Sequence, residues 1–186
     1  MKRLAVFAAL VGLAALSFAQ GRQPRGKAET MVHGKKVVID FGRPALNGRS
    51  LDELMKNLPE DRIWRAGENQ VTTLDTATDL KIGGQAIPAG KYSLYVYAPV
   101  DGNWSLCVNK DRGIALAKIF PQAPPEMAEE LWPRLDGYQN NIEGEEVARI
   151  PMTKKSGASG AVFDIDLSAS SLTMSWGGQV WEVGIE

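Results

Sequence analysis

One cysteine, Cys107, and one histidine, His33, are all the chain holds of the two side chains best suited to ligate zinc or attack a carbonyl. A single cysteine allows no internal disulfide, and a structural zinc site needs four Cys or His ligands, so both are excluded. No Gly-x-Ser-x-Gly elbow accompanies His33, which removes a Ser-His-Asp relay. Phosphate-cradling loops of the Gly-x-Gly-x-x-Gly or P-loop kind are missing as well. Basic runs are also lacking: 21 Lys and Arg against 22 Asp and Glu give a formal net charge of −1, without the clustered positive surface that nucleic acid requires. No cofactor, no metal, no nucleic acid and no catalytic residue is therefore expected.

Long apolar runs are confined to the start. Lys2 and Arg3 precede Leu4–Leu16, and Ser17-Phe18-Ala19 places small residues where signal peptidase cuts. The run is about 13 residues long, against roughly 20 for a bilayer span. Residues 1–19 are read as a cleaved signal peptide of bacterial type, with an uncleaved anchor as the alternative. The protein is then exported, to the periplasm or beyond, with no transmembrane segment after cleavage. Residues 20–30 are polar and turn-rich, the composition of a flexible leader. Residues 31–186 are read as a single β-rich domain, large enough to enclose its own core.

What the chain does have is strand patterning broken by glycine turns. Val37, Ile39 and Phe41 alternate on one face until Pro44, which has no N–H for a ladder. Leu51, Leu54, Met55 and Leu58 have helical spacing, with Ser50 as N-cap. Gly83-Gly84 and Gly177-Gly178 separate paired strand segments, a two-residue hairpin signal. The stretch from Asp79 to Asn109 reads as a four-strand meander. In Lys91–Tyr97, Tyr92, Leu94 and Val96 share one face, and Tyr95 and Tyr97 the other. Pro124–Leu131 is expected to be a short helix, and Arg134–Glu145 a polar loop. Trp176 and Trp181 flank the Gly177-Gly178 turn and are expected to stabilise that hairpin. The fold class that follows is all-β, mainly antiparallel: a single-domain β-sandwich or flattened barrel with one or two short helices.

Reactive chemistry concentrates between Phe41 and Asn69. Arg43, Arg49 and Arg65 carry rigid forks of donors that grip carboxylate or phosphate through two parallel bonds. Trp64 offers an apolar wall, and Asn69 and Thr72 offer neutral hydrogen bonds. Glu68 is the carboxylate to consider for acid–base work, which needs burial or a like-charged neighbour. The expected ligand-binding set is thus Arg43, Arg49, Trp64, Arg65, Glu68, Asn69 and Thr72. The competing reading is that the arginines pair with nearby acids and brace a long loop.

Phe41-Gly42-Arg43-Pro44 with Gly48-Arg49, Trp64-Arg65-Ala66-Gly67-Glu68-Asn69 with Thr72-Thr73, and Ile82–Leu94 with its Pro-Ala-Gly-x-Tyr-Ser-Leu segment together resemble the bacterial family known as domain of unknown function 2911. Trp104–Lys110 and Leu172–Trp176 extend the likeness over most of the chain. The resemblance implies export and a β-rich fold, and brings no catalytic assignment. It departs at Phe41, where the family has tyrosine, and over Asp111–Gly144, a longer and proline-rich stretch. The functional expectation is a non-enzymatic binding module for a small anionic or sugar-like ligand. A structural or interaction protein of the cell envelope is the first alternative, and a carboxylate-dependent hydrolase or lyase the second.

Overall fold

Alternation of apolar and polar residues shapes the opening hairpin. The computed structural model describes residues 25–134, 138 and 142–186; the expected signal peptide and the start of the leader lie outside them. Strands β1 (Gly26–Val32) and β2 (Lys35–Phe41) pair antiparallel around His33-Gly34. Val37, Ile39 and Phe41 are fully buried, as their spacing requires. Residues 26–30, read as leader, are strand instead. Lys27 and Glu29 face solvent and, with Lys36, form an ion-paired row that hides the alternation of a half-buried edge strand.

Next comes α1 (Leu51–Lys56), held by a capping box in which Ser50 and Glu53 satisfy each other's backbone N–H. The chain continues through β3 (Ile63–Trp64), β4 (Thr72–Thr76), β5 (Leu80–Ile82), β6 (Gln85–Ile87), β7 (Gly90–Tyr97) and β8 (Ser105–Asn109). Then follow β9 (Ile114–Ala115), α2 (Leu116–Ile119), β10 (Leu131–Trp132), a 3-10 turn at Glu143–Glu145 and β11 (Glu146–Pro151). The last four strands are β12 (Thr153–Lys155), β13 (Asp164–Leu167), β14 (Ser171–Trp176) and β15 (Gln179–Gly184).

Two main antiparallel sheets result, beside the two-stranded ribbons β5-β6 and β9-β10, and among the described residues they do not close into a barrel. One has seven strands in the order β1-β2-β4-β7-β8-β11, with β3 paired beside β7; the other runs β12-β15-β14-β13. Leu74, Leu94, Val96, Leu106 and Ile150 from the first face Ile165, Leu172, Met174 and Val183 from the second across one core. At its centre Trp64 stacks on Trp176 (5.1 Å, 18°) and Trp104 on Trp181 (3.8 Å, 5°), with Phe163 edge-on to Trp64. Trp176 and Trp181 therefore do not pair with each other. Register sets Trp181 opposite Met174 and Trp176 opposite Gln179, and each indole finds its partner on the other sheet.

The expected meander is only partly realised. β7 and β8 are hairpin neighbours, but β5 and β6 form a separate ribbon closed by Gly83 (φ 55°) and Gly84 (φ 79°). β4 skips over that ribbon to pair with β7. Leu80, Ile82 and Ile87 of the ribbon are buried, and Ile82 bridges to Ile185. Residues 124–131 are not helical: Pro124 and Pro125 open successive i to i+3 turns, and Leu131 goes to β10. Among the described residues, no helix is long and apolar enough to cross a membrane.

β7 and β8 are covered on both sides. Their outer face carries a second cluster of Val71, Tyr95 and Cys107, roofed by Tyr138 and Ile142 from the segment that links β8 to β11.

Candidate functional site

β3 and β4 pair along the same edge of β7, so residues 65–71 bulge out of what would otherwise be one strand. Ala66 (φ 50°) and Asn69 (φ 61°) turn this bulge through the left-handed region, and buried Thr72 donates its hydroxyl to the Ala66 carbonyl at 2.8 Å. The bulge then packs backbone to backbone on the end of β2. A Cβ on Gly42 would lie 2.3 Å from the Glu68 carbonyl oxygen, so only glycine fits there. From outside, Arg25 donates to the Val71 carbonyl and the Gln70 amide oxygen, and pairs with Asp40.

Strand alternation separates the residues that the sequence puts side by side. Trp64 turns into the main core, so it offers no wall to a ligand. Arg65 turns to the opposite face and lines a cavity of about 560 Å³ with Asp61, Tyr95, Trp132, Arg134 and Tyr138. Arg43 reaches the other sheet, where it meets Asp164 at 3.4 Å, and Arg49 is exposed, its Nε on the Leu46 carbonyl. Glu68 supplies backbone to the Gly42 crossing, and Thr72 is a staple within the bulge. Asn69 alone serves Arg65, accepting a hydrogen bond at 3.2 Å through its carbonyl. None of the three cavities described is lined by Arg43, Arg49, Trp64, Glu68, Asn69 or Thr72. The seven side chains are thus not gathered around one hollow.

Around the cavity, charges are unevenly matched. Arg134 bonds Asp111 through Nε and a terminal nitrogen, at 3.0 and 2.9 Å. Asp61 accepts from the backbone N–H of Ile63 (3.0 Å) and of Tyr138 (3.2 Å). Arg65 has no carboxylate within ion-pair distance among the described residues; its recorded partner is the Asn69 carbonyl. Its side chain reaches solvent, yet the protein around it displaces enough water to lower its pKa. Arginine stays protonated regardless. Burial, with Asp111 nearby, pushes the Tyr95 phenol up to about 12.

Behind the cavity is a polar network. Buried Asn109 donates to the Tyr138 hydroxyl (3.1 Å) and the Ile142 carbonyl (2.8 Å), and Tyr138 donates to Glu146 at 2.5 Å. Arg149 grips both oxygens of Glu146 at 2.9 Å and lies over the Tyr97 ring. Burial and the Glu146 bond raise the Tyr138 pKa. Cys107, beneath them, is fully buried, and burial with nearby Glu146 pushes its thiol up to about 12.

Tyr95, Trp132, Arg134 and Tyr138 are not in the ligand-binding set expected from the sequence. One signal was there: β7 is apolar on both faces, the pattern of a strand covered on both sides. Nothing comparable marks Arg134, whose approach to Asp111 depends on the path of the intervening chain.

No curated protein and no solved structure matches the chain. The family model described as "Protein of unknown function (DUF2911)" matches residues 23–185, and the chain belongs to that family.

Proposed function

We propose that this chain is an exported, non-enzymatic binding module that holds a small anion or acidic sugar in the cavity on the outer face of the seven-stranded sheet. One observation carries the reading: Arg65 lines a 560 Å³ cavity with no carboxylate to neutralise it among the described residues. A guanidinium has five donors, and among the described residues Arg65 uses one, toward the Asn69 carbonyl. The rest suit a carboxylate, sulfate or phosphate. Tyr95, Trp132 and Tyr138 give the cavity the apolar and aromatic surface that small-molecule sites use to exclude water. Arg134, already matched by Asp111, adds hydrogen bonds more than net charge. Of the residues expected from sequence, Arg65 supplies the charge and Asn69 orients it. Export rests on Lys2-Arg3, the apolar Leu4–Leu16 and Ser17-Phe18-Ala19.

Binding is favoured over hydrolysis or elimination by the state of the carboxylates. Asp61 lines the cavity, but each of its oxygens accepts a backbone N–H, and Glu68 is not in the lining. A purely structural role in the envelope predicts a cavity indifferent to every anion.

The test is thermal shift followed by titration calorimetry with glucuronate, galacturonate, lactate, sulfate and phosphate. At least one should bind, and Arg65→Gln should weaken it by about tenfold or more, roughly 1.4 kcal/mol. The ligand-free Tm should move by only about 2 °C. Equal affinities for wild type and Arg65→Gln, or no response to any of the five, would overturn the reading.

A further inference from the structure

At one end of the sandwich is a second, unrelated cleft of about 330 Å³. It lies between α1, the turn from β7 to β8, and the strands β12 and β15. Lys56, Arg62 and Lys154 line it against one carboxylate, Asp52, so it is locally basic in a chain whose formal net charge is −1. No ion pair is recorded for any of these three cations among the described residues. The contrast along β12 is direct: Lys155 pairs with Glu182 at 3.1 Å, whereas its neighbour Lys154 lines the cleft.

Arg62 is held in place by its own backbone. It adopts φ 57°, a conformation that residues other than glycine seldom take. Its N–H bonds the Pro59 carbonyl (2.9 Å), its carbonyl accepts from Ala98 (2.9 Å), and its Nε donates to the Ala98 carbonyl (3.0 Å). That leaves its terminal nitrogens as an oriented pair of donors. Met55, Pro99 and Val100 form an apolar wall, and Val100 is 88% exposed, the most exposed large hydrophobic residue described. The stacked Trp104 and Trp181 also line the cleft, and the buried indole N–H of Trp181 has no acceptor among the described residues.

From this juxtaposition we infer that the cleft is a binding site for a small organic dianion. The two charged ends meet Arg62 and the lysines, and the apolar body rests on Met55, Pro99 and Val100. Charge complementarity selects the class: a neutral molecule leaves three cations unmatched, and a bare inorganic ion leaves the apolar wall wet.

The experiment is calorimetric titration of the full mature chain with isophthalate, with isophthalamide as the neutral isostere. Isophthalate should bind and isophthalamide should not. Lys154→Gln, at an exposed position that spares the fold, should weaken isophthalate severalfold, and Arg62→Gln by about tenfold or more. Lys155→Gln should leave it unchanged, and so should Arg65→Gln, which tests the other cavity. Equal binding of the diamide, no binding of isophthalate, or full affinity in both Arg62→Gln and Lys154→Gln would overturn the proposal.

Discussion

The two faces of the seven-stranded sheet are built differently. Its inner face packs aliphatic side chains and the indoles of Trp64 and Trp104, each stacked on a tryptophan of the other sheet. Its outer face, over β7 and β8, is a small cluster in which Tyr95, Tyr138 and Cys107 sit among Asn109, Glu146 and Arg149, beside an open cavity. Burying polar groups is costly unless each is bonded, so the outer face gains less stability per residue than the inner one. Stability therefore rests mainly on one side of these strands, and the proposed recognition on the other. The neighbours Trp64 and Arg65 show this at the scale of one peptide bond.

Breaking the inner face should produce the largest effect. Trp64→Ala removes the indole that touches Trp104, Trp176 and Phe163, and should cost about 3–5 kcal/mol in denaturant unfolding. A loss below about 1 kcal/mol would mean that this face does not dominate the fold. Gly42→Ala comes next, because its Cβ must displace the Glu68 backbone. About 1–3 kcal/mol is expected, together with weaker anion binding as the bulge that carries Arg65 shifts. Undiminished binding would uncouple the bulge from the cavity.

The smallest effect tests the outer face through pH. Folding raises the Tyr95 pKa to about 12 and raises that of Tyr138, against roughly 10 for a free phenol. The folded state therefore holds these protons more tightly than the unfolded chain. The resulting stabilisation is complete below pH of about 10 and is lost as pH climbs towards 12. Absorbance at 295 nm should show Tyr92, Tyr95 and Tyr138 ionising late, together with loss of near-ultraviolet dichroism. Tyr95→Phe should raise the alkaline midpoint. Ionisation of Tyr95 and Tyr138 near pH 10 in a folded chain would show the outer cluster to be open to water.

The sequence was legible where one physical rule governed the outcome. The Ser50 cap, the Gly83-Gly84 and Gly177-Gly178 turns, and the two-faced Lys91–Tyr97 strand are local features, and each stands where its pattern places it. Legibility failed where charge concealed alternation, as at Lys27 and Glu29 in β1, or where two prolines imitated a helix start, as at Pro124-Pro125. The arginines were legible as residue types but not as a group. Arg43, Arg49 and Arg65 are near one another along the chain, yet a strand's period of two and the bulge at residues 65–71 send them to different surfaces. The Arg134–Asp111 pair and the lining of the cavity depend on long-range chain path, which no local pattern encodes.

The roof of that cavity departs from and returns to a single rung of the ladder. Asn109 and Glu146 are register partners, and the Lys110 N–H bonds the Glu145 carbonyl at 2.9 Å. Closing the ladder at that rung holds the two ends of the segment together, and loop-closure entropy grows only slowly with the length between them. The segment is also tied back to the sheet, through Tyr138 and Ile142 over Val71, Tyr95 and Cys107. A chain shortened between those two ends is expected to keep the sandwich but to bare Val71, Tyr95 and Cys107.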